Sequence, residues 1–219
     1  MLTTDIYQQL KNKNPVLRQR AISQIVEEPT SETIPVLIGI LSDENPTYRH
    51  GATQALGVIG LEAIPSLAEQ LSTSDNHQVR ACCVQAFSEI SRFFSKDYPG
   101  ETYPQVAIDA LQKALNDPNS GIKVSAASAL GMIGKPALEV LLSALDTDDI
   151  ALRLSTIQAI VSLNVLKGPE DDPKTLEDYD KIENLLSQIA EDENADTYIR
   201  ETAKTSLTRM IASKVKMRH

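Results

Sequence analysis

A basic residue followed at fixed distances by small and apolar ones recurs six times along the chain. Arg18/Ala21, Arg49/Ala52, Arg80/Cys83, Lys123/Ala126, Arg153/Thr156 and Arg200/Ala203 place a small residue three positions after the base. Seven positions after it stand Ile25, Leu56, Phe87, Leu130, Ile160 and Leu207, all apolar. Ten positions after it stand Ile59, Ile90, Ile133, Leu163 and Met210, with Glu28 the exception in the first unit. Offsets of 3, 7 and 10 follow one face of an α-helix. The pattern therefore predicts one amphipathic helix per unit and an internal repeat along the whole chain.

A second helical segment precedes each of the later ones: ETIPVLIGIL, EAIPSLAEQL, YPQVAIDALQKAL, KPALEVLLSAL and YDKIENLLSQIA. Pro35, Pro65, Pro104 and Pro136 lie near their starts, where a missing N–H costs nothing. Asn14-Pro15, Asn45-Pro46 and Asp117-Pro118 punctuate the turn between the two helices of a pair. Gly60 and Gly134 are natural helix stops. The acids Asp43, Asp75, Asp117, Asp148 and Asp192 precede their anchors closely, and are expected to cap helix N-termini and to pair with basic residues of neighbouring repeats in a ladder.

The anchors are spaced 31, 31, 43, 30 and 47 residues apart. A period near 30 is a lean helix pair, and the two long intervals are insertions, at about residues 91–102 and 164–178. No strand-like alternation is sustained. The expected architecture is all-α: a right-handed α-solenoid of about six HEAT-like helix pairs, forming a single domain over residues 1–219.

Composition fits this picture. Apolar residues make up 42% and aromatic ones 4%, with no Trp, so the core must be filled by small and aliphatic side chains in closely packed helices. The formal net charge of -9 disfavours nucleic acid, which needs a basic stripe. The basic residues at the C-terminal end, Lys214, Lys216, Arg218 and His219, read as a solvated tail. No stretch reaches the length of a membrane span and the N-terminus has no apolar signal core, so the expected location is the cytoplasm. The two cysteines, Cys82 and Cys83, are adjacent, which suits a reducing compartment.

There is no P-loop, dinucleotide fingerprint, zincin motif or nucleophile elbow, and His50, His77 and His219 show no metal spacing. No metal and no permanently bound cofactor are expected. Cys83 falls in the small-residue column and is expected in the core; Cys82 remains open as a transfer thiol. What remains is a surface. Second helices of stacked pairs usually line a concave side, and positions one and five after the anchor point away from the core. There lie His50, Gln54, Ala81, Gln85, Val124, Ser128, Leu154 and Gln158, bordered by Tyr48, Arg49, Arg80 and Arg153. Such a groove suits a partner helix or a tetrapyrrole with carboxylate side chains. The other candidate is the first insertion, where Phe93, Phe94, Tyr98 and Tyr103 gather four of the nine Phe and Tyr residues.

The segments LKNKNPVLRQRA, ETIPVLIGILSDENPTYRHGATQALGVIG and ALQKALNDPNSGIKVSAASALGMIGKPALEVLLSAL resemble the HEAT-repeat phycobilin lyase family of cyanobacteria. ENADTYIRETAKTSL and DYPGETYP are similar to the last repeat and the insertion of its phycoerythrin-associated Z-type subgroup. The resemblance implies a role in phycobilisome biogenesis, as a bilin lyase or a lyase-associated chaperone. The implied partners are a phycobiliprotein subunit, of phycoerythrin above all, and a second HEAT-repeat lyase subunit. Phycoerythrobilin or phycocyanobilin would be a transferred ligand. Catalysis, if the chain is an enzyme, would be phycobilin:cysteine ligation within a complex. A similar branch is associated with iron–sulfur assembly, so the alternatives are an iron–sulfur adaptor or a general scaffold. No catalytic residue is implied.

Overall fold

The computed structural model describes residues 4–97, 102–163 and 173–217. Among them there are helices and turns and no strand, as the helical periodicity requires. Contacts divide the chain into two compact units, Met1–Ser125 and Ala126–His219.

In the first unit the paired helices are α1 (Thr4–Gln8) with α2 (Pro15–Glu27), α3 (Thr33–Ile40) with α4 (Pro46–Ile59), and α5 (Ile64–Thr73) with α6 (His77–Asp97). Next comes α7 (Gln105–Ala114), then α8 (Ser120–Ile133), which carries the boundary. The second unit adds α9 (Leu138–Ser143), α10 (Ile150–Ser162), α11 (Pro173–Glu191) and α12 (Thr197–Met217). Second helices pack on second helices: α4 on α2 and α6 in the first unit, α12 on α10 in the second. The polar backbone stops where glycine permits. Gly60 and Gly134 take φ of 79° and 90°, and their N–H groups close onto Leu56 and Leu130.

The small residues three positions after the anchors are all sealed: Ala21, Ala52, Cys83, Ala126, Thr156 and Ala203 have no exposed surface. A second small column lies at offset six. Ala55, Ala86, Ala129 and Ala159 are also buried. At offset eight the approach is closer still. A Cβ on Gly57 would lie 2.6 Å from Glu89 Cβ, and one on Gly131 would lie 2.9 Å from Ala159 Cβ.

The capping scheme differs from the expectation built on the acids. The caps stand four positions before each anchor: Asn14, Asn45, Asn76, Asn119, Asp149 and Asp196. Their side chains accept from the N–H groups of Val16, Thr47, Gln78, Gly121, Leu152 and Tyr198 at 2.8–3.1 Å. Two residues earlier, Asn12, Asp43, Ser74, Asp117 and Thr147 each accept from the cap's own N–H. Asp43 and Asp117 thus support the cap, while Asp75, Asp148 and Asp192 are not caps. An uncharged Asn accepts the same bond, so charge was the wrong signal.

Both insertions are partly helical. α6 continues through Asp97, so the first insertion begins as two further helical turns. α11 starts at Pro173, so the later part of 164–178 is helix as well. There Tyr179 is buried, and buried Asp178 lies 3.1 Å from Lys135 Nζ. Residues 164–172 lie outside the described residues.

Candidate partner-binding surface

Each second helix carries one stripe of positions none of which is buried. Capping fixes where the helix starts, and the buried columns at offsets three, six and seven fix its rotation. Offsets one and five therefore face solvent. His50, Gln54, Val124 and Leu154 are half-buried there, and Ala81, Gln85, Ser128 and Gln158 are exposed. His50 Nδ1 and Gln85 Nε2 lie 3.4 Å apart, linking the stripes of α4 and α6.

The residues expected to border the stripe are placed otherwise. Tyr48 is in the core of the first unit at 5% exposure; Gln8 Nε2 donates to its hydroxyl at 3.3 Å and Lys11 Nζ sits 4.4 Å from its ring centre. Burial, helped by Asp43, raises its pKa above the ordinary phenol value. The anchor arginines clasp the turn in front of their own helix. Arg18 Nη1 donates to the Asn12 carbonyl at 2.8 Å, Arg49 Nη1 to those of Asp43 and Glu44 at 2.6 and 3.0 Å, and Arg80 Nη1 to that of Ser74 at 2.9 Å. Arg80 also donates through Nε and Nη2 to Asp117, at 2.7 and 3.1 Å. This is one rung of the expected ladder. It forms where the turn of the next repeat carries an acid; the equivalent residue facing Arg49 is Ser74. In the second unit Arg153 Nε is buried without a hydrogen-bond partner.

The aromatic cluster divides. Phe93 is 45% exposed, whereas Phe94 and Tyr103 are buried against each other, with ring centres 4.9 Å apart at 65°. Ser91 Oγ donates to the Phe87 carbonyl at 2.7 Å and lies 3.0 Å from the Tyr103 hydroxyl. Burial outweighs that hydrogen bond and pushes the Tyr103 hydroxyl up to about 12. Tyr103 therefore pins the chain after the insertion to Phe94 and Ser91 of α6, whereas the Phe93 ring is exposed. Tyr98 lies outside the described residues.

Cys83 is sealed in the core, and burial first, with its neighbour Cys82 second, pushes its thiol up to about 12. Cys82 is half-buried. Iodoacetamide at pH 8 should label native protein at Cys82 alone, and Cys83 only after denaturation. Peptide mapping that finds Cys83 alkylated first would undo its place in the core. No group of three or more metal-ligating side chains occurs among the described residues.

Two open grooves adjoin the stripe. The one along α2 measures about 650 Å³ and includes Gln19 and Ser23, the residues at offsets one and five. The one between α10 and α12 measures about 260 Å³ and includes Gln158, Thr205 and Tyr198, whose ring is 70% exposed.

The HEAT-repeat pattern matches residues 3–88 and 100–161. Phycocyanin operon protein Z of Pseudanabaena tenuis is 32% identical over 93% of both chains. The chain belongs to the HEAT-repeat family that includes phycocyanin operon protein Z. Bilin biosynthesis protein CpeZ of a Synechococcus species is 26% identical over 81% of this chain and 89% of its own. The solved complex of CpcE and CpcF of phycocyanin lyase from a Nostoc species contains a chain of the same fold. It matches with a TM-score of 0.55 and 21% identity, over 81% of this chain and 99% of that one. No helix among the described residues is long and apolar enough to cross a membrane.

Proposed function

We propose that this HEAT-repeat chain serves phycobilisome biogenesis as a chaperone-like holder of a phycobiliprotein subunit during bilin attachment. The carrying observation is the match to phycocyanin operon protein Z, 32% identical over 93% of each chain. The surface agrees with holding rather than with bond-making. Apart from His50 and Glu201, its stripe consists of amides, hydroxyls and apolar groups, and the nearby guanidinium groups of Arg49 and Arg80 are engaged by the turns. A lyase subunit of the same fold would supply the chemistry, with phycoerythrobilin or phycocyanobilin as the transferred ligand. Positioning the acceptor thiol of the subunit is then this chain's contribution. The setting is the cytoplasm.

Co-expression with a phycoerythrin or phycocyanin subunit, a bilin source and a lyase tests this. The chain should raise soluble, correctly coloured subunit several-fold over the lyase alone. Unchanged yield and absorbance with both subunits would sink the reading. Copurification with an iron–sulfur carrier, with indifference to bilin, would replace it by the adaptor role.

A further inference from the structure

Across the six second helices, offsets one and five give twelve positions, none of them buried. Eleven carry no formal charge in a chain that is 23% charged. The exception, Glu201, is neutralised by Lys204 at 2.8 Å. Charge depletion at exposed positions is a property of interface centres rather than of solvated faces. The column at offset five is more uniform still: Ser23, Gln54, Gln85, Ser128, Gln158 and Thr205. Each of these side chains both donates and accepts a hydrogen bond, and none ionises. The grooves repeat the theme within each unit. That of the first unit is flanked by Arg20 and Glu27, that of the second by Glu201 and Arg209, one charge of each sign.

We propose that the stripe of the first unit, along α2, α4 and α6, binds an uncharged, extended segment of a partner polypeptide through its backbone. Charge complementarity selects the occupant. A carboxylate or ammonium brought against neutral amides loses its hydration with no countercharge to replace it. Beside Gln54 and Gln85 a tetrapyrrole with two carboxylates meets the same penalty, since Arg49 and Arg80 are committed to carbonyls and to Asp117. A peptide backbone matches the column, because every unit offers one donor and one acceptor whatever its side chain. Spacing agrees. Neighbouring helices pack ~8–10 Å apart, and an extended chain with three residues per turn advances ~9.3 Å per turn. Within the first unit, Ser23, Gln54 and Gln85 on the neighbouring helices α2, α4 and α6 therefore meet the same side of the segment at successive turns.

The inference rests on the proposed holding of a protein subunit and names the part of it that is held. It is tested on the full-length chain by fluorescence anisotropy with a labelled fifteen-residue peptide of Ala, Ser, Gln and Val. Matched peptides carry Glu or Lys at every third position, and another carries N-methyl groups. The neutral peptide should bind at least tenfold tighter than the Glu or Lys peptide, and N-methylation should abolish binding. The double variant Gln54→Glu/Gln85→Glu should weaken neutral binding at least fivefold and turn the preference toward the Lys peptide. Gln112→Glu, on the exposed side of α7, should change nothing. Absent binding of the neutral peptide, equal binding of a charged one, or an unaffected double variant would overturn the proposal. So would a bilin whose binding, unlike the peptide's, is lost in the double variant. Coloured-subunit yield separates the two readings. Yield raised equally by wild type and double variant defeats this inference alone; yield raised by neither, with peptide binding intact, defeats the proposed function alone.

Discussion

Asp117→Ala is expected to destabilise the first unit by about 3 kcal/mol or more. Arg80 and Asp117 form a buried pair, their side chains 13% and 5% exposed. Removing one partner of such a pair costs about 3–5 kcal/mol, because the other charge is left without compensation. Here the loss is compounded, since Asp117 also accepts the N–H of Asn119 and so supports the cap of α8. Asp117→Asn keeps an acceptor for that N–H but removes the charge, and should fall between wild type and alanine. Arg80→Ala should lower stability comparably while leaving the exposed stripe intact. Burial alone would raise the Asp117 pKa, but the hydrogen bonds from Arg80 and the Asn119 N–H, with the charge of Arg80, hold it below the ordinary aspartate value. A carboxyl with a depressed folded pKa stabilises fully above its unfolded value, near pH 4, and this contribution disappears as pH falls through the folded pKa. Urea unfolding at pH 7 and pH 3 checks both statements. A loss under 1 kcal/mol at pH 7 would mean that the pair contributes little beyond its own desolvation.

Phe87→Ala should cost about 3–5 kcal/mol, the range for deleting a sealed aromatic ring. Phe87 has no exposed surface and is the one aromatic residue among the six at offset seven. The loss should reach past the core. The Phe87 carbonyl accepts from Ser91, whose hydroxyl touches that of Tyr103, so slackening of α6 frees the chain that follows the insertion. Chemical denaturation should register the stability loss. Limited proteolysis should cut near residues 98–104 faster in the variant than in wild type; an unchanged cleavage rate would separate the insertion from the core of α6.

What the sequence alone determined was the helix inventory and one face of each second helix. Ala21, Ala52, Cys83, Ala126, Thr156 and Ala203 were legible because their burial recurs at one fixed offset from the anchor. The stripe through Gln54, Gln85 and Gln158 followed from the same register, being opposite to that face. The alanines at offset six were equally regular in the sequence, yet their burial depends on packing beyond the helix, which periodicity within one helix does not report. Their signal was the repetition of Ala55, Ala86, Ala129 and Ala159. Side-chain direction was decided only by the tertiary structure. Arg80 is long enough to reach the stripe or the turn, and the Ser74 carbonyl together with the Asp117 carboxylate draws it to the turn. Tyr48 stands in the first turn of α4, where the packing of the preceding helices, not its own sequence position, places it inside. Phe93 and Phe94 are adjacent in sequence, but about 100° apart around α6, so one ring meets Tyr103 and the other meets solvent. Repetition fixes what every repeat shares. Which way a flexible or aromatic side chain turns depends on what the next repeat presents, and that is settled only when the repeats are packed together.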